Sequence, residues 1–309
     1  MPKITVLAGG VGAARFLEGV LQVVPQRDVT VISNTGDDED FFGLRVSPDI
    51  DIVIYTLAGA VDAEKGWGLT GETFHALDAL RRFGYETWFN LGDRDMATHA
   101  HRTRLLREGA TLSEATRSIV TAFGLEMTLL PVSDDRIRTL VDTDAGTLAF
   151  QEYFVKRRTE DEVRAVRFDG IEQARPAPGV IDAIMNADVV AIAPSNPVVS
   201  IGPILAVAGV RDALRETAAK VVGVSPIVGG KTIKGPADRM MASLGMTPTA
   251  AGVAEAYGDF LDVLVIDEED RDLAAAVEAA GVRAVVAQTI MRGPAEKRAL
   301  AEVALGAVQ

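Results

Sequence analysis

The 309-residue sequence has no cysteine. That absence excludes a disulfide framework, a zinc–thiolate or iron–sulfur centre and a cysteine nucleophile together. Positive charge is also short: 31 Lys plus Arg face 44 Asp plus Glu, for a net charge of −13. Binding to nucleic acid or to an anionic membrane needs clustered cations, so neither partner is expected. A small phosphorylated ligand is not excluded, because it responds to local groups rather than to the average. Long hydrophobic runs are missing too. VVAIAP at 189–194 and VVGV at 221–224 fall far short of the roughly 20 residues that span a bilayer. The opening MPKITVLAGG lacks the cationic start, long apolar run and small-residue cleavage site of a signal peptide. These features predict a soluble, cytoplasmic protein.

Glycine, by contrast, is abundant, with 29 residues, and hydrophobic types make up 48%. A chain of this length can bury about 75% of its unfolded surface, so its core needs no covalent staple. Short β-branched runs alternate with amphipathic segments, which predicts an α/β fold of Rossmann-like type with a largely parallel sheet flanked by helices. The expected strands are 4–8, 29–33, 86–90, 188–193, 220–225, 262–267 and 283–287. Helical spacing covers 13–24, 70–84, 96–109, 113–123, 236–245 and 271–280, with Ser113 as a helix cap. The rhythm breaks at about 131–178. There RIRTLVDTDAGTLAFQEYFVKRR reads as a hairpin turning at Asp144–Gly146, an antiparallel insertion or subdomain within a single domain over 1–309.

Four segments carry chemistry. LAGGVGAARF places Gly9, Gly10 and Gly12 directly after the first strand, where glycines permit close approach and a helix N-terminus offers free N–H groups to an anion. Arg15 replaces the third glycine of a dinucleotide fingerprint, which disfavours a nicotinamide dehydrogenase and leaves a cation to meet a phosphate. SPIVGGKT at 225–232 imitates a phosphate-binding P-loop, but Ser225 occupies the first glycine position and no helix follows at once. The second segment, SNTGDDEDFFGLRVSPDID, holds six acids (Asp37, Asp38, Glu39, Asp40, Asp49, Asp51) against Arg45 alone, a local charge of −5. Carboxylates at strand ends beside a phosphate-friendly turn suit Mg²⁺; a solvated acidic turn with Asp49 and Asp51 capping a helix is the competing reading.

In the third segment, WFNLGDRDMATHAHRTRLL, a strand is expected to end at Asn90 and a helix to begin near Arg94. Six arginines and three acids between 81 and 107 leave a local charge of +3, suited to phosphate oxygens, while Asp93 or Asp95 could orient an arginine or a hydroxyl. His99 and His101 are two apart, on different helix faces, and make a poor chelating pair. The fourth segment, APSNPVVSIGPIL, offers Ser195 and Asn196 at a strand end, as ligand contacts or as a plain turn and cap. Phe41, Phe42, Trp67, Trp88 and Phe89 are either a wall for a flat ring or core.

Taken in order, GGVGAARF, NTGDD, GLRVSPDID, YTLAG, KGWG, LGDRDMATH, LLPVSDD, FQEYFVKR, APSNPVVSIGPIL, SPIVGGK and FLDVLVIDEED make the chain resemble, end to end, the 2-phospho-L-lactate transferase family (CofD/FbiA) of coenzyme F-420 biosynthesis. Ala13 stands where many relatives have glycine. The resemblance implies Mg²⁺-dependent transfer of a phospho-acyl unit (phospholactyl, phosphoenolpyruvyl or phosphoglyceryl) from a guanylylated diphosphate to the ribityl hydroxyl of the deazaflavin Fo. GMP is released. It implies Fo contacts at Asp51 and Asn90, and a homodimer. Gly9, Gly10, Gly12, Arg15, Ser195 and Asn196 would flank the donor. Asp37, Asp38 and Asp51 would hold metal or orient the hydroxyl, and Arg94 would join Asp37 and Asp38 in catalysis by steadying phosphate. A CofD-like regulator that binds a nucleotide sugar without catalysis is the alternative. Its acidic loop typically continues DDGGSSG, whereas this one reads DDEDFFGL.

Overall fold

The computed structural model describes residues 2–62 and 64–308. β1 (Ile4–Ala8) runs into α1 (Gly10–Val20), then β2 (Val29–Ser33), a hairpin of β3 (Glu39–Phe41) and β4 (Leu44–Val46), and α2 (Pro48–Leu57). Three helices follow, α3 (His75–Arg82), α4 (Asp95–Arg107) and α5 (Leu112–Ala122), before β5 (Thr128–Pro131). β6 (Arg138–Thr143), β7 (Gly146–Ala149) and β8 (Val163–Asp169) precede α6 (Val180–Met185), β9 (Val189–Ile192), α7 (Gly202–Ala206), α8 (Val210–Glu216) and β10 (Lys220–Val224). The chain closes with a short hairpin of β11 (Ile227–Val228) and β12 (Lys231–Thr232), α9 (Ala237–Ser243), α10 (Ala250–Tyr257), β13 (Val263–Asp267), α11 (Ala274–Ala279), β14 (Arg283–Ala287) and α12 (Pro294–Gly306).

Seven strands form one sheet in the order β14-β13-β10-β9-β1-β2-β5, every neighbouring pair parallel. Alternation along the strands feeds two core layers. Leu7, Ile32, Ile192, Leu264 and Ile266 pack on one side with Ile184 of α6, Leu214 of α8 and Val253 of α10. Val6, Val31, Ala191, Val222 and Val265 pack on the other with Phe16 of α1, Ile54 of α2, Ile119 of α5 and Leu300 of α12. The strand order reverses at β1, which lies between β2 and β9. Open parallel sheets bind ligands in the crevice at such a reversal, beyond the strand C-termini.

The insertion is a three-stranded antiparallel sheet, β7-β6-β8, and the Thr143–Gly146 pairing closes the expected turn. Its second strand ends at Ala149, and Glu152–Lys156 forms a helical turn where the hairpin was expected to continue. Phe150 and Phe154 stack with centroids 5.6 Å apart, a pairing at four-residue spacing that needs helical backbone. The run 86–90 is irregular rather than a strand. β5 takes the edge place beside β2, while Trp88 and Phe89 pack on Phe41 in a satellite core with Leu77 and Leu91. The cap of α5 is Thr111, in a reciprocal capping box with Glu114. Ser113 lies inside the helix. Among the described residues, no single helix is long and apolar enough to cross a membrane.

Candidate active site at the sheet reversal

The loops after β1 and β9 meet at the strand-order reversal and explain the glycines. A Cβ at Gly12 would lie 2.3 Å from the Pro194 carbonyl oxygen, and one at Gly9 would lie 2.6 Å from Ser200 Cβ. Gly10, with φ +74°, takes the turn into α1. Only glycine satisfies both the close approach and the positive φ. The Gly9 N–H points at Ser195 Oγ, 3.4 Å away, which brings the glycine turn and Ser195 side by side. Asn196 serves the backbone, since its Oδ1 accepts the Val198 N–H at 2.9 Å and the Val199 N–H at 3.4 Å, capping the turn that follows. Arg15 is exposed on α1. Burial, followed by the Arg15 charge, pushes the Lys234 ammonium below its ordinary value, so the SPIVGGKTIKGP loop brings a second cation near α1.

The acidic loop divides in two. Glu39 and Asp40 lie on the β3–β4 hairpin and are neutralised by arginines: Asp40 by Arg45 and Arg136, each at 2.7 Å, and Glu39 by Arg138 at 3.3 Å. The −5 of the segment is therefore partly cancelled by two arginines that lie about a hundred residues further along. The remaining acids, Asp37, Asp38, Asp49 and Asp51, are all buried. Burial first, then the charge of Asp49, pushes the Asp37 carboxyl well above the usual carboxylate range. Burial also raises Asp49 to about 6, against the pull of the Asn34 amide and the Gly10 N–H. Asp38 is raised to about 7 by burial, although Ser47 Oγ donates to its Oδ2 at 2.6 Å. Asp37 Oδ1 and Asp38 Oδ1 are buried with no hydrogen-bond partner.

Asp49 reads in the sequence either as one of the acids suited to Mg²⁺ or, in the competing reading, as a helix cap. It is not a cap: it sits in the first turn of α2, and its carboxylate lies against the glycine turn, 3.0 Å from where a Gly9 Cβ would be. Asn34 anchors it, donating through Nδ2 to Asp49 Oδ2 at 2.9 Å and to the Val199 carbonyl at 3.2 Å. Asp51 faces elsewhere. Two residues along a helix are about 200° apart around its axis, and Asp51 turns to α4, where Arg102 grips both of its oxygens. Asp37 thus feels the charge of Asp49, while Asp51 is held by Arg102. Among the described residues no three acidic or histidine side chains gather as a preformed metal site. The Asp37–Asp49 pair nonetheless suits a hard cation, since two buried carboxylates with a bare oxygen have no cation of their own.

The arginines of 81–107 are mostly spent within the protein. Arg81 binds Asp78 and Thr87, Arg107 donates to the Gly43 carbonyl, and Arg102 is completely buried. Arg94 is exposed at the start of α4 and donates to the Thr70 carbonyl at 2.8 Å. Asn90 is exposed just before it. Asp93 caps α3, accepting the Ala76 N–H at 3.0 Å, and Asp95 accepts the Tyr55 hydroxyl at 2.5 Å. His99 and His101 do diverge: His99 Nε2 meets Asp95 at 3.1 Å, and His101 Nε2 meets Ser118 Oγ at 2.9 Å. The aromatics mostly pack on one another, with Phe41 stacked on Phe89 at 3.9 Å and edge-on to Trp88 at 5.4 Å. Trp67 is partly exposed, with the Lys65 ammonium 5.8 Å from its ring centre.

Residues 4–299 match the family described as 2-phospho-L-lactate transferase CofD. A phosphoenolpyruvate transferase of Streptomyces griseus is 48% identical, with 98% of this chain and 97% of the relative covered. A 2-phospho-L-lactate transferase of Methanosarcina mazei is 37% identical, covering 98% and 99%. Among solved structures, a Bacillus halodurans protein of the UPF0052 family shares the fold with a TM-score of 0.64 at 15% identity, over 98% of this chain and 99% of that one. Matched over residues 4–299 and at 37–48% identity across nearly its whole length, the chain belongs to the CofD family of phosphotransferases connected with coenzyme F-420 biosynthesis.

Proposed function

We propose that this protein transfers a phosphoenolpyruvyl group from a guanylylated diphosphate donor to the terminal ribityl hydroxyl of Fo. The acceptor oxygen bonds to the phosphorus that carries the acid, the diphosphate bridge to that phosphorus breaks, GMP leaves and the hydroxyl proton is lost. The observation that carries this reading is the buried Asp49 carboxylate against the Gly9–Gly10 turn at the sheet reversal, with buried Asp37 within reach of its charge. The preference for the phosphoenolpyruvyl unit rests on the relatives. Those at 48% identity are phosphoenolpyruvate transferases, and the phospholactate transferases stand at 37–39%.

In this reading the glycine turn and the N-terminus of α1 receive the diphosphate through backbone N–H groups, beside Ser195 and Arg15. Asp37 and Asp49 would hold Mg²⁺, which supplies charge neutralisation for the diphosphate. Asp38 Oδ1 has an open acceptor position and takes the hydroxyl proton, a role matched to a carboxyl raised to about 7. Asp51 and Asn90 contact the acceptor, and exposed Arg94 meets the phosphate. A homodimer and a cytoplasmic location accompany the reading.

The test is a competition. The protein is incubated with Fo, Mg²⁺ and equal concentrations of the phosphoenolpyruvyl, phospholactyl and phosphoglyceryl donors, and the deazaflavin product is weighed by mass spectrometry while GMP is followed. A dominant phosphoenolpyruvyl product with matching GMP is expected. A different dominant product corrects the donor, and no GMP with any donor leaves the nucleotide-sugar-binding regulator as the better reading.

A further inference from the structure

Among the described residues, Arg102 is the largest fully buried side chain. Its guanidinium forks onto Asp51: Nη1 donates to Oδ2 at 3.1 Å, and Nη2 donates to Oδ1. Nη1 also reaches His99 Nδ1 at 3.2 Å and the Arg45 carbonyl at 3.3 Å. A guanidinium only donates. Its two Nη1 hydrogens are shared among Asp51 Oδ2, the Arg45 carbonyl and His99 Nδ1, and the other ring nitrogen of His99 lies 3.1 Å from Asp95. Asp95 in turn accepts the Tyr55 hydroxyl. The groups form one buried network: the Tyr55 hydroxyl donates to Asp95, the His99 ring lies between Asp95 and Arg102, and Arg102 donates to Asp51.

The chain leaves Asp51 with little freedom. A carboxylate offers about four lone-pair positions. Arg102 fills one on each oxygen, and the Ser47 N–H approaches Oδ2 at 3.3 Å. A single position stays open, on Oδ1. A carboxylate so neutralised and so nearly saturated is a poor ligand for Mg²⁺ and a good acceptor for one hydrogen bond of fixed direction. The polar stripe behind it is regular: Asp95, His99 and Arg102 fall at helical spacing on one face of α4, against Asp51 and Tyr55 at i,i+4 on α2.

We infer that Arg102, seated on His99, is a positioning residue for the acceptor substrate: it fixes the rotamer of Asp51 so that the one open lone pair on Oδ1 receives a hydrogen-bond donor of the acceptor. This assignment rests on the reading of Asp51 as an acceptor contact. It makes Arg102, and not the exposed Arg94, the arginine of this segment that governs acceptor affinity.

The experiment is a double-mutant cycle in the full-length protein with Fo, Mg²⁺ and the phosphoenolpyruvyl donor, reading KM for acceptor and donor separately. Arg102→Lys keeps the charge but loses the fork, and is expected to raise acceptor KM about tenfold with donor KM within about twofold. Asp51→Asn is expected to do the same, and the double variant to be no worse than Asp51→Asn alone, because both act through one contact. Multiplying effects, or a rise in both KM values together, would overturn the inference by showing that Arg102 acts only as structure. Should Arg102→Lys fail to fold, His99→Gln decides: a rise in acceptor KM alone supports the positioning role, and an unchanged acceptor KM refutes it. The failure of the underlying reading looks different. In that case Asp51→Asn itself leaves acceptor KM unchanged, and the inference falls with it.

Discussion

Glu72 and Asp93 cap each other's helices. The Glu72 carboxylate accepts the N–H groups of Arg94 and Asp95, at 2.9 and 2.8 Å, where α4 begins. Asp93 returns the arrangement at α3, accepting the Thr73 hydroxyl at 2.6 Å and the N–H groups of His75 and Ala76 at 3.1 and 3.0 Å. The reciprocal caps fasten the loop carrying KGWG to the helix carrying Asp95, His99 and Arg102. They also explain Gly92, since a Cβ there would lie 2.1 Å from Glu72 Cδ. Of the acids of GDRD, Asp93 fastens the start of α3 and Asp95 holds the Tyr55 hydroxyl.

Gly92→Ala drives its methyl into the Glu72 carboxylate and displaces that cap. A lost cap costs about 1 kcal/mol, so a modest fall in denaturation midpoint is expected. The more telling measurement is hydrogen exchange: protection should fall first at the N-terminal amides of α4 and leave the β1–β2 ladder unchanged. Uniform loss of protection across the sheet would show that the caps are not a local fastening.

The cap of α5 offers a sharper comparison between pattern and structure. Thr111→Ala removes the side-chain oxygen that accepts the Glu114 N–H at 3.2 Å and should cost about 1 kcal/mol in chemical denaturation. Ser113→Ala, inside the first turn, should cost well under half of that, because its hydroxyl makes no hydrogen bond.

Legibility in the sequence followed range. The strands ITVLA, VTVIS and DVLVID announce themselves because β-branched runs between turn residues leave few alternatives. The adjacency of the glycine turn and Ser195 was legible because both follow strands of a parallel sheet, whose C-terminal loop ends gather at the reversal. ETWFN misleads because its aromatics suit a strand yet satisfy themselves against Phe41 in the satellite core. The partition of the acidic loop was hidden: Arg136 and Arg138, which take Asp40 and Glu39, come from the start of β6 and the loop before it, about a hundred residues away. Arg102 was hidden among six arginines. The signal that could have found it was the stripe Asp95, His99, Arg102 at one-face spacing.

The buried acids give the protein a pH dependence whose sign follows from their directions. Asp37, Asp38 and Asp49 titrate above the ordinary carboxylate value, the latter two at about 7 and about 6. Each binds its proton more tightly when folded. The stability this confers is complete below the unfolded value near 4 and is lost as pH rises through 6 and 7. Without added metal, the protein should therefore be more stable at pH 5 than at pH 8, by on the order of a few kcal/mol in chemical denaturation. Mg²⁺ should stabilise more at pH 8, where the carboxylates are charged, and Asp49→Asn should flatten both effects. Equal Mg²⁺ stabilisation at the two pH values would count against the Asp37–Asp49 pair as the cation site.

Asp95 works in the opposite direction. Burial pushes its carboxyl up, but the His99 ring 3.1 Å away, the Tyr55 hydroxyl and the Arg102 charge outweigh that and hold it below the usual range. Its contribution is present above the unfolded value near 4 and is lost as pH falls through the lower folded value. Asp95→Asn should therefore be less stable than the wild type at pH 7, with the gap narrowing as pH falls below about 4. A constant gap would mean that Asp95 matters through shape alone.

Asn34 joins the two halves of the site, since a single amide nitrogen holds Asp49 of α2 and the Val199 carbonyl of the SNP turn, while its oxygen accepts the Gly36 N–H at 2.8 Å and shapes the turn before Asp37. Asn34→Ala removes all three contacts and leaves two buried acceptors bare, each worth about 1–3 kcal/mol. Asn34→Asp keeps the oxygen that shapes the turn but sets a third carboxylate against Asp37 and Asp49. Both variants should lose stability, and they should part over Mg²⁺. The alanine variant should raise the Mg²⁺ concentration needed for half-maximal thermal stabilisation, because Asp49 loses its anchor. The aspartate variant should depend on Mg²⁺ for folding more steeply than the wild type, because only a cation relieves the added repulsion. If both respond to Mg²⁺ as the wild type does, Asn34 only braces the loops and the cation sits elsewhere.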